Sequence, residues 1–438
     1  MEKKVVVTAL IIVFFLTYSG YSYNKIAEVV SFDTDRSYLA KGQNSYINAT
    51  YGGSDSEVGI SLFQTVDGGY VLAGNTQSFG AGENDLWLVK TDANGDLEWN
   101  QTYGGTEYDY LFSGIQTNDG GFALAGYTVE NEVWTMWLVK TDGSGNQSWN
   151  KTYSRSETGY AHSVIQTTDN GFALASEDMR LVKTDANGQL EWIRTFGRTG
   201  TAYSVIQTID GGFALAGDAM TTESGTDAWV VKTDANGQLE WDRTYRRGKT
   251  DSINSIIQTT EGGYILGGWT QVSPTSSNVD MWLIKTDGSG QSEWNRTFGG
   301  TRIERIESII QTAYGGIIIA GWTTSYGAGF DDIWLIETDE QGILQWNCTY
   351  GGTSGESCRD IIQTNDGGVA VIGRTLSYGA GSSDMWLVKV PASDIPVLSL
   401  NTGTNTGTGP SSKPVSLSLI VVIVSLLLTG KKRRRKET

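Results

Sequence analysis

One histidine and two cysteines in 438 residues are too few for the Cys/His clusters that hold structural zinc. His162 is the only imidazole, and no Ser, His and acid fall into a recognisable triad pattern, so no catalytic set is assigned. Basic residues are also short, 32 Lys and Arg against 49 Asp and Glu, for a formal charge of −17. Six of those cations crowd into KKRRRKET at 431–438, so the body of the chain is more acidic still. Such a surface repels phosphate backbones, which excludes nucleic acid as a partner. Proline is scarce, at 5, whereas glycine reaches 56 and tryptophan 15. That balance suits short strands joined by tight turns.

Long apolar runs are missing except at the two ends. Residues 1–23 open with a basic start and the run VVVTALIIVFFLTY, the length of a signal-peptide core, and read as a signal peptide or an uncleaved N-terminal anchor. A lead segment follows at 24–43. At the far end a Thr/Gly-rich stretch, 391–413, has little to pack and reads as an exposed stalk. Residues 414–430 are apolar and read as a single transmembrane segment. It is short for a bilayer unless the adjacent Lys and Arg snorkel. The basic tail at 431–438 places the C-terminus in the cytoplasm and the bulk of the chain outside the cell. Stalk, apolar run and basic tail, in that order, resemble the C-terminal sorting signals of archaeal and bacterial surface proteins.

Between the ends one unit recurs seven times. Its glutamine stands at Gln64, Gln116, Gln166, Gln207, Gln258, Gln311 and Gln363. Periods near fifty residues indicate units that bury their faces on one another. Each copy holds four strand-like runs, in the fifth Ser255–Thr259, Tyr264–Thr270, Met281–Thr286 and Ser292–Phe298. Two joints are tight and Gly-bearing, as in Asp119-Gly120-Gly121 and Asp92-Ala93-Asn94-Gly95. Four-stranded sheets repeated seven times about an axis make a seven-bladed β-propeller, over residues 44–390. The last copy stops at Val390 without a fourth strand, while Asn48-Ala49-Thr50-Tyr51-Gly52-Gly53 matches the fourth strand of the other copies. An N-terminal strand completing the last blade would close the ring and remove two edges.

The pattern GGY(I/V)LAG, then D-x-W-L-V-K-T-D-x-x-G, then W-N-x-T-Y-G-G resembles the tandem propeller repeats of archaeal and bacterial cell-surface proteins. The resemblance covers roughly residues 44–390 and implies a propeller at the cell surface, most such proteins having no assigned activity. The turn is also similar, in its Gly95-to-Trp99 spacing, to the tryptophan-docking repeats of quinoprotein and outer-membrane assembly propellers. It has a shorter Asp-to-Gly interval and no Thr-Gly-Lys core, so no quinone and no other cofactor is expected.

Variable joints on a rigid scaffold are where binding concentrates. Seven residues before each glutamine stand Glu57, Asp109, Asp251, Glu304 and Glu356, with Gly159 and Gly200 in the other two copies. These carboxylates can ring the channel mouth and hold a cation or a polar ligand, or each can cap its own loop. No metal is assigned. Phe79, Tyr326 and Tyr378 sit in a Ser-aromatic-Gly-Ala-Gly joint of copies one, six and seven and are further ligand-binding candidates. The sequons at Asn48, Asn100, Asn146, Asn150, Asn295 and Asn347 are glycosylation candidates in an exported chain. Cys348 and Cys358 fall on opposite edges of consecutive blades, roughly 14 Å across, so a disulfide between them is not expected. The resulting reading is a monomeric, membrane-anchored extracellular propeller acting as a ligand-binding or surface-layer module, with a protein or glycan as ligand. An extracellular carbohydrate-active enzyme, a glycosidase or lyase, is the alternative.

Overall fold

The computed structural model describes residues 46–153, 159–221, 225–271 and 277–392, besides a short backbone pairing of Thr17–Tyr18 with Tyr21–Ser22. The lead segment, nearly all of the stalk, the apolar C-terminal run and the basic tail lie outside the described residues. So, beyond that pairing, does the N-terminal leader. Among the described residues no helix is long and apolar enough to cross a membrane.

Residues 46–392, as described, form seven four-stranded antiparallel sheets, and the fold is an all-β seven-bladed propeller. Blade 1 runs Glu57–Gln64, Tyr70–Thr76, Asp85–Thr91 and Leu97–Tyr103 from the axis outwards. The second and third strands are buried along their whole length, because each is covered on both faces by neighbouring blades. That explains their unbroken apolar runs. The outermost strand is largely exposed except at its closing tyrosine. In blade 7 the outermost position beside Asp384–Val390 is taken by Ile47–Tyr51, with Thr50 opposite Trp386.

The repeated residues hold blade to blade. In blades 1, 3, 4 and 5 the signature glutamine accepts a 2.8 Å hydrogen bond from a turn N–H of the preceding blade, as Gln166 does from Asn118. Gln64 makes the same contact to Asn365, across the seam between blades 7 and 1. Nearer the middle of the channel a serine of the inner strand in blades 1 to 5 accepts from the next blade, as Ser61 does from Gly114 N at 2.9 Å. At blade 7 the serine is replaced by Asp360. Its carboxylate accepts from Ser308 Oγ at 3.0 Å and from Leu62 N at 3.1 Å, completing the circuit on both sides.

The two tight joints share one face of the disc, the turn face. There Gly95 adopts φ +87°, and Asn170 takes the equivalent left-handed position of the other turn with φ +66°. Asp92 accepts the N–H groups of Asn94 and Asp96 at 2.8 and 2.9 Å, a plain Asx turn. Lys90 spans both joints, reaching Asp67 at 3.0 Å and Glu98 at 2.8 Å. Blade 6 has Tyr314 and Glu337 in place of the Asp and the Lys, so both partners of that bridge change together.

The inner strand begins earlier than its apolar pattern suggests. In blade 5 it spans Thr250–Gln258 rather than starting at Ser255. The reason is a β-bulge, where the register slips between Ile253 and Ser255. Six other inner strands slip at the equivalent place. The slip presses the inner-strand carbonyl onto its neighbour: a Cβ on Gly74 would stand 2.1 Å from Val58 O. Six blades keep glycine at this position, and blade 3 carries Ser176 there.

Candidate binding cavity on the propeller axis

A bulge inserts an extra residue that the ladder does not pair, and re-aims its side chain. Here the extra residues are Ile60, Phe112, His162, Tyr203, Asn254, Glu307 and Arg359, one per blade, and all seven line a single cavity of about 370 Å³. Around them the copies repeat; at this position no two are alike. Tyr110, Ser252 and Arg305, two residues earlier on their strands, and Trp269, on the second strand opposite Ser252, complete the wall. The inner strands enter from the loop face and leave at the turn face, so this wall belongs to the loop-face half of the channel.

The cavity is chemically two-sided. Blades 2 to 4 supply rings in contact: Tyr110 to Phe112 at 5.0 Å, Phe112 to His162 at 4.8 Å and His162 to Tyr203 at 5.5 Å between centroids. Tyr127, stacked on Tyr110 at 5.9 Å, extends the arc to Tyr160 and Trp134. On the other side Arg305 stands over two indoles, 4.5 Å from the Trp269 ring and 5.8 Å from that of Trp322. Trp322 donates to Glu307 at 2.9 Å, and Glu307 also reaches Arg359 at 3.4 Å.

Electrostatics follow burial. Burial pushes the Tyr203 hydroxyl up to about 12, with the Asp218 charge adding and Arg305 opposing. Burial likewise raises the Asp218 carboxyl, against hydrogen bonds from Ser252 and Tyr203 and the nearby His162. Glu177 is tied to His162 at 3.1 Å and to Tyr160 N at 2.7 Å.

The residues singled out by sequence lie elsewhere. Glu57, Asp109, Asp251, Glu304 and Glu356 are buried at the head of their inner strands, not on the joint before them. Their oxygens face main-chain groups of their own crossover. Glu356 accepts from Gly352 N at 2.7 Å, Thr375 Oγ1 at 3.0 Å and Ser377 N at 3.0 Å, and Glu304 and Glu57 repeat that set. Asp109 and Asp251 hold Gly105 N and Gly248 N. Phe79, Tyr326 and Tyr378 lean on Trp87, Trp334 and Trp386 at 5.3, 5.1 and 5.7 Å. They cover the Gly-Gly of the crossovers, where a Cβ on Gly300 would meet Ser325 at 2.4 Å.

The sequon residues Asn48, Asn100, Asn150, Asn295 and Asn347 each accept the indole N–H of their blade's third-strand tryptophan, Trp87 to Asn100 being 3.1 Å. Asn146 sits in the turn of blade 2 and donates to Asp142. Cys348 lies on the outermost strand of blade 6 and Cys358 within, rather than just before, the inner strand of blade 7; both are free. Among the described residues no group of His, Cys, Asp and Glu is placed to hold a metal ion.

No family model matches the sequence, and no curated protein matches it. Solved structures do. Sqt1 of Chaetomium thermophilum is 13% identical with a TM-score of 0.50, over 81% of this chain and 99% of that one. A protein of unknown function from Bacteroides caccae is 12% identical with a TM-score of 0.41, over 68% of this chain and 94% of that one. BamB from Moraxella catarrhalis is 10% identical with a TM-score of 0.41, over 78% of this chain and all of that one. At these identities the likeness speaks to fold alone.

Proposed function

We propose that the chain is a membrane-anchored, outward-facing binding module whose ligand enters the axial cavity from the loop face. One observation carries the reading: seven duplicated blades keep their packing residues and differ at the bulge residue aimed into the channel. A purely structural disc would have no reason to diversify the side chains that line the channel. Apolar walls with a few convergent polar groups are the usual make-up of a ligand site. The anchor rests on the apolar run and basic tail, and the export on the leader. The sequons are proposed to carry glycans, and the first strand to lock the ring by completing blade 7.

The full chain in detergent micelles, probed with a glycan array and with extracellular proteins of its host, tests this. Binding that is lost in both Phe112→Ala and Asn254→Trp, with melting temperature unchanged, is the expected result. Binding that survives both substitutions would place the ligand elsewhere.

A hydrolytic reading draws on Asp218, whose carboxyl burial raises, the direction a general acid requires. Turnover of aryl glycosides that disappears in Asp218→Asn would favour it over simple binding.

A further inference from the structure

Given the axial cavity as the binding site, we infer that its ligand is an acidic sugar, with the ring face on the Tyr110–Phe112 side and the carboxylate on Arg305. Three arginines of the outermost strands, Arg194, Arg243 and Arg296, also stack on indoles, but each donates to a main-chain carbonyl at 2.8 to 3.1 Å. Arg305 is placed differently. Its guanidinium lies over both Trp269 and Trp322 and, among the described residues, has neither a main-chain carbonyl nor a carboxylate partner; its buried Nε is unpartnered, as are those of Arg194 and Arg243. Arg359, the other cavity arginine, already has Glu307. A guanidinium held by stacking, with its edge free, is built to receive a planar oxyanion through two parallel N–H bonds.

The rest of the wall says what the anion is attached to. Phe112 and His162 belong to blades 2 and 3, which in a ring of seven face blade 6 and hence Arg305. Between ring faces and guanidinium stand the polar side chains of Ser252, Asn254 and Tyr203. A hydroxylated ring can satisfy these groups while laying its apolar face on the aromatics. Their donors are already engaged, Ser252 and Tyr203 by Asp218 and Asn254 by Ile306 O at 2.8 Å, so a hydroxylated ring meets them as acceptors, a match that a simple aryl carboxylate, with no hydroxyl to donate, does not make. The acidic body of the chain disfavours a long polyanion. A terminal sugar that turns its carboxylate to Arg305 therefore fits, and a cavity of about 370 Å³ limits it to a short oligosaccharide end.

Calorimetry of the full chain with digalacturonate, its methyl ester, cellobiose and benzoate tests the inference. Digalacturonate should bind at least about tenfold more tightly than its ester, the value of a charge-assisted pair. Arg305→Met should erase that difference and leave the ester unaffected, Arg305→Lys should restore part of it, and Phe112→Ala should weaken acid and ester alike. An ester that binds as well as the acid, an unchanged affinity in Arg305→Met, benzoate competing as strongly as digalacturonate, or no uronate binding at about 10 mM would each overturn it. A neutral glycan or protein captured through the cavity would refute the acidic sugar and leave the binding module standing. A cavity that binds nothing in either experiment would remove the module as well.

Discussion

At the scale of single residues, the seam between blades 6, 7 and 1 departs from the serine circuit at one position. Asp360 does the work of a serine with a carboxylate that burial pushes up to about 6. An unfolded aspartate titrates near about 3.9, so the folded chain binds the extra proton between those values. The stability associated with this group is complete below about pH 4 and is lost as pH rises through about 6. Asp360→Ser restores the residue of the other six blades. We expect its stability relative to the native chain to increase from about pH 4 to about pH 6 and to level off above. Urea titrations of both proteins across that range check this; a difference independent of pH would show that the carboxylate is solvated in the fold.

At the scale of the strand, the outermost position shows why a motif can mislead. Asn100 and its equivalents lie in glycosylation sequons, yet each serves its blade by accepting an indole N–H. Where the asparagine is replaced, Asp242 accepts from Trp229 at 2.8 Å, and where Arg180 replaces the tryptophan the partner is Ile193. The amide oxygen is used internally while the nitrogen, the atom a glycan takes, remains on an exposed strand edge. We therefore expect glycans on Asn48, Asn100, Asn150 and Asn295, which are exposed, before Asn347, which is half-buried. Intact mass of the protein from its native host checks this, and a mass equal to the bare polypeptide would refute it. The blades were legible because their packing repeats. The cavity was not, because a bulge breaks the alternation of the inner strand exactly where the side chains turn towards the axis. Two signals did mark it: the glycine inside the second strand of six blades, which the displaced carbonyl favours, and one unmatched residue before the serine that recurs in six inner strands and is Asp360 in the seventh.

At the scale of the whole molecule, blade 7 pairs strands that lie more than 330 residues apart, Ile47–Tyr51 and Asp384–Val390. Ile47 and Tyr51 are buried at 4% and 9% exposure, and Tyr51 donates to Gly95 O of blade 1 at 2.6 Å. Deleting residues 44–53 should remove both side chains and uncover the edge of Asp384–Val390. A loss of at least about 4 kcal/mol follows from the two side chains and the ladder. Aggregation through the open edge should accompany it. Thermal melts with size-exclusion chromatography measure both, and an unchanged melting temperature would sink the closure.

The place where the chain leaves the propeller has a mechanical consequence. Asp384–Val390 runs towards the turn face, clasped on one side by Val369–Thr375 and on the other by Ile47–Tyr51. A pull on the chain beyond Ala392, resisted by a ligand held near the opposite face, acts along this strand and not across it. Two ladders then bear the load in shear, with their hydrogen bonds strained together instead of peeling one by one. The blade assembled from the two ends of the chain is thereby the one best placed to act as a strain-bearing clasp.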